Sequence, residues 1–161
     1  MNDRPVVGIV VVDFNGGERT LGCIEHLHAL TYPADRTRMV LVDNGSARPV
    51  VADVRTRWPA VDVVETGENR GFAGGCNAGF RHLLGAGGVD HIALVNNDAL
   101  PDAGWLEPLV DALAADPTLG AVTPKVLLDR RYAFVDLTSP TSAAGAGDPR
   151  QLGVQVVAVR A

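Results

Sequence analysis

Apolar residues fall in short runs that stop abruptly at polar clusters. The first run, PVVGIVVV from Pro5 to Val12, has no polar interruption. Such a run suits a strand buried on both faces of a parallel sheet. Asn15-Gly16-Gly17 breaks it, and Leu21, Ile24, Leu27 and Leu30 then recur at helical spacing. This predicts a helix over 18–30, closed by Tyr32-Pro33. Met39 to Val42 is a second buried strand, stopped by Asp43-Asn44-Gly45-Ser46, and 47–58 reads as a helix with Pro49 in its first turn. Val61 to Val64 is a third strand. A polar, glycine-rich stretch at 67–75 follows, and Phe72, Cys76, Phe80 and Leu83 then fall on one face of a helix reaching about 84. His91 to Val95 is a fourth strand, ending in Asn96-Asn97-Asp98. Trp105, Leu109, Val110 and Leu113 mark a fourth helix that stops at Asp116-Pro117, and 119–128 reads as extended.

Strand alternates with helix four times. The expected architecture is therefore α/β: a mostly parallel sheet with right-handed crossovers and helices on both faces. Residues 1–128 hold this core, and 129–161 form a second region. In the latter, TSPTSAAGAGDP at 138–149 reads as a loop or tether, and 152–159 as a last strand with no capping element after it.

Composition narrows the chemistry. The chain has 161 residues, 47% of them apolar and 5% aromatic, and a formal net charge of −5. Its basic residues are scattered, which argues against a nucleic-acid partner. The two cysteines, Cys23 and Cys76, are too few for a disulfide framework or a cysteine zinc site. The four histidines show no metal-ligand spacing. No apolar run is long enough to span a bilayer, and no signal peptide is recognisable at the N-terminus. These features point to a cytoplasmic chain, with peripheral attachment at the inner face of the membrane through another part left open.

Three of the four strands end in a carboxylate: Asp13, Asp43 and Asp98. Any one of them alone reads as turn capping. Three along the carboxyl edge of one sheet sit where open α/β sheets bind ligands. They also place like charges near one another, at a cost that a cation or ligand would offset. The segment Asn69-Arg70-Gly71-Phe72-Ala73-Gly74-Gly75-Cys76-Asn77 adds a glycine-rich helix start. Its backbone N–H groups and helix dipole suit a phosphate, and Arg70 offers a charge-assisted contact. It is neither a P-loop nor a dinucleotide fingerprint, since neither spacing is present; the plainer reading is a flexible loop over a packed helix.

VDNGS at 42–46, NRGFAGGCNAG at 69–79 and LVNNDALPDAGWL at 94–106, in this order, resemble the glycosyltransferase family 2 enzymes of GT-A type. The rhamnosyltransferase-like members that build cell-surface polysaccharides are the most similar. The resemblance covers residues 5–128 and implies a Rossmann-like GT-A core. By it, Asp43 accepts a hydrogen bond from a pyrimidine base, with Asn44 beside it, and the backbone around Asp13, Phe14 and Asn15 forms a wall next to the base. Asn69, Arg70, Gly71, Gly74 and Asn77 line the nucleoside and diphosphate. Asn96-Asn97-Asp98 falls on the family's Asp-x-Asp motif. Asp98 would hold Mg²⁺ or Mn²⁺, Asn96 replaces the first Asp, and Asn97 lies beside the donor.

The implied reaction is inverting transfer of a sugar, rhamnose or similar, from a nucleoside-diphosphate donor to a glycan or lipid-linked acceptor. The cation would neutralise charge on the leaving diphosphate. Inversion also requires a carboxylate base. No segment of 129–161 resembles the family's base motif, so the base is unassigned and is expected outside this chain. The alternatives are a nucleotide-sugar-binding module without turnover, a phospho-receiver domain and a sugar nucleotidyltransferase. The receiver would need an acidic pair after the first strand. The nucleotidyltransferase would need a Gly-rich loop bearing Arg and Lys there, and neither is present.

Overall fold

The computed structural model describes residues 4–127 and 157–160. Strands β1 (Val7–Asp13), β2 (Thr37–Asp43), β3 (Asp62–Glu65) and β4 (His91–Asn96) alternate with helices α1 (Glu18–His28), α2 (Val51–Arg57), α3 (Gly71–Ala86) and α4 (Leu106–Ala115). A short 3₁₀ turn, Ala34–Arg36, leads into β2, and two further strands follow, β5 (Ala121–Val122) and β6 (Val157–Arg160). The sheet order is β3-β2-β1-β4-β6-β5. The four strands β3-β2-β1-β4 are parallel, as the pattern predicts, and β6 runs antiparallel between β4 and β5.

The period-two alternation within β1 assigns its side chains to two faces. Val7, Ile9 and Val11 join Leu41, Ala93 and Val95 beneath α1, α2 and α4, which contribute Ile24, Leu27, Val54, Leu106 and Val110. Val10, Val40, Val42 and Ile92 point the other way, onto Leu83 of α3. The sheet steps from β1 to β2 to β3 and then returns to the far side of β1 with β4. That return explains why α3, unlike α1 and α2, covers the second face: a right-handed crossover in the opposite direction must pass over the opposite side. The strand order reverses between β1 and β4, which opens a crevice at their carboxyl ends.

Helix α3 lies close to the sheet because two glycines face it. A Cβ on Gly75 would come within 2.6 Å of Val12 Cγ1, and one on Gly79 within 2.5 Å of Val10 Cγ1. Gly75 thus serves helix–sheet packing, where the sequence suggested ligand approach. Phe72 is also corrected: it stands 59% exposed on the first turn of α3, ahead of the buried face formed by Cys76 and Leu83. Boundaries shift as well. The 3₁₀ turn delivers the chain into β2 two residues earlier than the apolar run suggested, and α2 starts at Val51, after Pro49 rather than around it. Of the extended stretch at 119–128, only Ala121–Val122 pairs as a strand. The loop at 138–149 and most of the last apolar run lie outside the described residues.

Candidate active site

An open cleft of about 380 Å³ lies at the carboxyl ends of β1, β2 and β4. Val12 and Phe14 bound it on the β1 side, Asn44 on the β2 side, Asn96, Asn97 and Asp98 on the β4 side, and Asn69, Gly71 and Phe72 across the start of α3. Of the residues singled out from sequence, this cleft brings together Asn44, Asn69, Gly71, Asn96, Asn97 and Asp98. Asp13, Asn15, Asp43, Arg70, Gly74 and Asn77 stand around it without lining it.

The three strand-end carboxylates are in three different environments. Asp13 is fully buried. Its Oδ1 accepts the Gly16 N–H at 2.9 Å, the Thr20 hydroxyl at 2.6 Å and the Asn97 amide at 3.0 Å, and its Oδ2 accepts the Ser46 hydroxyl at 3.2 Å. Asp43 is paired with Asp13 in the β1–β2 register and is 6% exposed; it accepts the Ser46 N–H at 3.1 Å. Ser46 therefore donates to both carboxylates, from hydroxyl and backbone, and hydrogen bonds meet the charge that the sequence left to a cation or ligand. Asp98 alone is exposed and lines the cleft.

Asn44 holds the loop that leads into α3. It is 2% exposed, and both hydrogen-bonding ends of its amide are used. Its Nδ2 donates to Asn69 Oδ1 at 3.2 Å and to the Gly71 carbonyl at 3.1 Å. Its Oδ1 accepts the Arg70 N–H at 3.2 Å and the Thr66 hydroxyl at 3.4 Å. Asn69 Oδ1 in turn accepts the Gly71 N–H at 2.8 Å. An α-helix leaves four N–H groups unpaired at its start. In α3 two of them, on Arg70 and Gly71, are taken by these asparagines, and those of Phe72, which lines the cleft, and Ala73 precede the i→i−4 ladder. Gly71 has φ +70°, the left-handed region where glycine carries no Cβ penalty. The side chain of Arg70 turns back to the Thr66 carbonyl at 3.2 Å and to Glu68 at 3.6 Å. Asn77 is exposed further along α3. Asn15, also left-handed at φ 59°, ties to the β2 loop by accepting the Ala47 N–H at 2.8 Å.

Among the described residues there is no group of three or more His, Cys, Asp or Glu placed to hold a metal. A hard cation takes oxygen ligands and commonly relies on one or two carboxylates plus substrate phosphates. The exposed Asp98 carboxylate and the neighbouring Asn96 fit such a partial set. The fit is to a cation that arrives with a phosphate ligand. Asp98 also acts inward: burial, with the negative charge of Asp98 added to it, pushes the Cys23 thiol up to about 12. That thiol hydrogen-bonds the Asn96 carbonyl at 3.3 Å and so ties α1 to the end of β4.

Sequence reasoning missed Thr20 and Ser46, named the backbone rather than the ring of Phe14 as a wall, and placed Phe72 on a buried helix face. Phe14 is 48% exposed and, with Phe72, lines the cleft. The available signal was an aromatic residue placed directly after a strand and another directly after the helix-start glycine, two positions that the core does not cover.

A doubly wound parallel sheet with an asparagine- and aspartate-lined cleft at its switch point is the GT-A type of glycosyltransferase fold. The sequence profile of Glycosyl transferase family 2 matches residues 8–134, and the chain belongs to that family. A mannosyltransferase from Pyrobaculum calidifontis, solved in complex with GDP-Man and Mn²⁺, superposes with a TM-score of 0.64 at 29% identity, over 74% of this chain and 35% of that one. A pre-mycofactocin glycosyltransferase of Mycobacterium tuberculosis is 33% identical over 91 residues, 56% of this chain and 18% of its own length. The glycosyltransferase AglE of Haloferax volcanii is 24% identical over 113 residues, 68% of this chain and 36% of its own. The chain thus spans well under half the length of these curated relatives.

Proposed function

We propose that this chain binds a nucleoside-diphosphate sugar in the cleft and serves inverting transfer of that sugar to a cell-surface glycan or lipid-linked acceptor. The observation that carries the reading is the placement of Asp98 opposite the start of α3. One wall offers a free carboxylate, and the facing wall offers N–H groups at the positive end of a helix dipole. A diphosphate between them would meet donors on one side and a carboxylate on the other, an arrangement that favours a bridging cation. Mg²⁺ or Mn²⁺, held by Asp98 and Asn96, would neutralise the charge that collects on the departing diphosphate. Phe14 and Phe72 would flank the nucleoside, and Asp43 would accept a ring N–H at the cleft's edge. Pyrimidines present such an N–H, and so does guanine, the base of the donor bound to the Pyrobaculum enzyme. Rhamnose as the sugar rests on the motif resemblance.

No residue is assigned as base. Among the described residues Asp98 is the one carboxylate lining the cleft, and a carboxylate holding a cation is not free to take a proton. No helix among the described residues is long and apolar enough to cross a membrane. Cytoplasmic placement, peripheral at the inner face of the membrane, belongs to the same proposal, since the donor would be drawn from that side.

The test is calorimetric titration with UDP, dTDP and GDP, each with and without Mn²⁺ or Mg²⁺. Binding that strengthens with the cation in the wild type, and no longer does so in Asp98→Ala, is expected. Cation-independent binding would remove the metal role. Tight binding without turnover, when the chain is joined to the remainder of a full-length relative, would favour a binding module without catalysis.

A further inference from the structure

The buried carboxylate of Asp13 lies beneath the cleft rather than in it. Its four donors come from three separate segments of the rim: Gly16 and the first-turn Thr20 of α1 from the segment after β1, Ser46 from that after β2, and Asn97 from that after β4. We infer that Asp13 is a positioning residue, which sets the Asn96-Asn97-Asp98 turn so that Asp98 is presented to a diphosphate and its cation. The inference rests on the functional reading above.

The geometry is specific. Asn97 Nδ2 donates to Asp13 Oδ1 at 3.0 Å and to Thr20 Oγ1 at 2.9 Å, while the Thr20 hydroxyl itself donates to Asp13 Oδ1. This closed triangle fixes the rotamer of Asn97. Anchoring the middle residue of the turn inward leaves its neighbours outward: Asp98 is exposed, and Asn96 is half-buried against the cleft. Gly16 completes the arrangement, because a Cβ there would collide with the Asn97 amide, the Thr20 hydroxyl and the Asp13 carboxylate together. A buried carboxylate is costly unless its lone pairs are met. Here they are, and the return is geometric order among loops that Asn15 and Cys23 also help to tie together. Ser46 extends the order to the base side: it accepts the Asn15 N–H at 2.9 Å and caps both Asp13 and Asp43. One side chain therefore ties the cation side of the cleft to its nucleoside side.

The test compares wild type, Asp13→Ala, Asp13→Asn, Asn97→Ala and Thr20→Val in the 161-residue chain. Amide hydrogen exchange is measured without ligand, and affinity for UDP, dTDP and GDP is measured with and without Mn²⁺. In Asp13→Ala and Asn97→Ala, exchange at 96–99 is expected to accelerate, while amides at the other end of the same strands, Val7–Val10 and His91–Ala93, stay protected. The increment in affinity supplied by Mn²⁺ is expected to fall about 10- to 100-fold, the range typical when a group behind a metal ligand is removed. Affinity without Mn²⁺ should hold in Asn97→Ala and Thr20→Val, which leave the bond between Asp13 and Ser46 in place. Asp13→Asn keeps one accepting oxygen and should fall between. Unchanged exchange at 96–99, or an equal loss of affinity with and without Mn²⁺, would overturn the inference and leave Asp13 as a support of the fold. Should Asp13→Ala not fold, Asn97→Ala and Thr20→Val carry the same comparison. A wild type that binds none of the three nucleotides would sink the functional reading, and hydrogen exchange would still decide the part played by Asp13.

Discussion

Replacing Asn44 by alanine should loosen the start of α3 before it loosens the sheet. The buried amide makes four hydrogen bonds, to Asn69, the Gly71 carbonyl, the Arg70 N–H and the Thr66 hydroxyl, at 3.1–3.4 Å. A net value of roughly 0.5–1.5 kcal/mol per bond gives an upper range of about 2–6 kcal/mol. Two features pull the figure down. The Thr66 contact is long, and Asn69, Arg70 and Gly71 are exposed, so water can replace part of what is lost. A loss of about 2–3 kcal/mol is expected, which in urea is a shift of roughly 1–2 M in midpoint. Binding should fall further than stability, because the freed loop must be ordered again before the N–H groups of Phe72 and Ala73 can meet a phosphate. Asn44→Asp sharpens the test. It keeps the acceptor for Arg70 but turns an oxygen toward Asn69 Oδ1 and the Gly71 carbonyl, so the donor half of the clamp is lost and replaced by repulsion. Urea melts and nucleotide titrations of both variants give the answer. A midpoint and an affinity both indistinguishable from wild type in Asn44→Ala would refute the clamp.

Gly79→Ala should destabilise by about 1–3 kcal/mol, as overpacking does, since its Cβ would sit 2.5 Å from Val10 Cγ1 and 3.1 Å from Val42 Cγ2; a thermal melt at or above wild type would contradict the close approach of α3. The Cys23 thiol, pushed up to about 12, carries almost no thiolate near neutral pH. It should therefore resist a thiol-specific colorimetric reagent at pH 8 in the folded chain and react in denaturant; rapid native reaction traced to Cys23 by mass spectrometry would contradict its burial. Phe14→Ala should weaken nucleotide binding by about 1–3 kcal/mol, the range for loss of a base–aromatic stack, without moving the melting temperature, because the ring is half exposed; a calorimetric titration with unchanged affinity would place the base elsewhere.

The fold was legible because parallel strands buried on both faces leave an unmistakable mark. Val7 to Val12 and Met39 to Val42 have no polar positions to confuse with a helix, and each is followed by a glycine-bearing break. Boundaries failed where local chemistry competed with periodicity. Pro49 was compatible with a helical first turn, yet the chain uses 47–50 as a turn and begins α2 after it. The antiparallel β6 was invisible as a pairing, since a short apolar run specifies neither its neighbour nor its direction.

The site was legible only as far as residue type reveals geometry. An aspartate ending a strand looks the same in sequence whether it faces a ligand or a loop. The structure separates Asp13, buried against four donors, from Asp98, which stands in the cleft, and the cause lies in residues that carried no signal of their own. Thr20 is one turn into α1 and Ser46 is a turn residue; both read as ordinary polar positions until the sheet brings their loops together. Asn97 reads from sequence as a residue beside the donor, and in the structure it is the residue that hooks that motif to the core. A ligand motif in sequence names the groups that can touch a substrate. The rigidity that makes them useful comes from partners 77 and 84 residues away in the chain, and sequence spacing does not encode those distances.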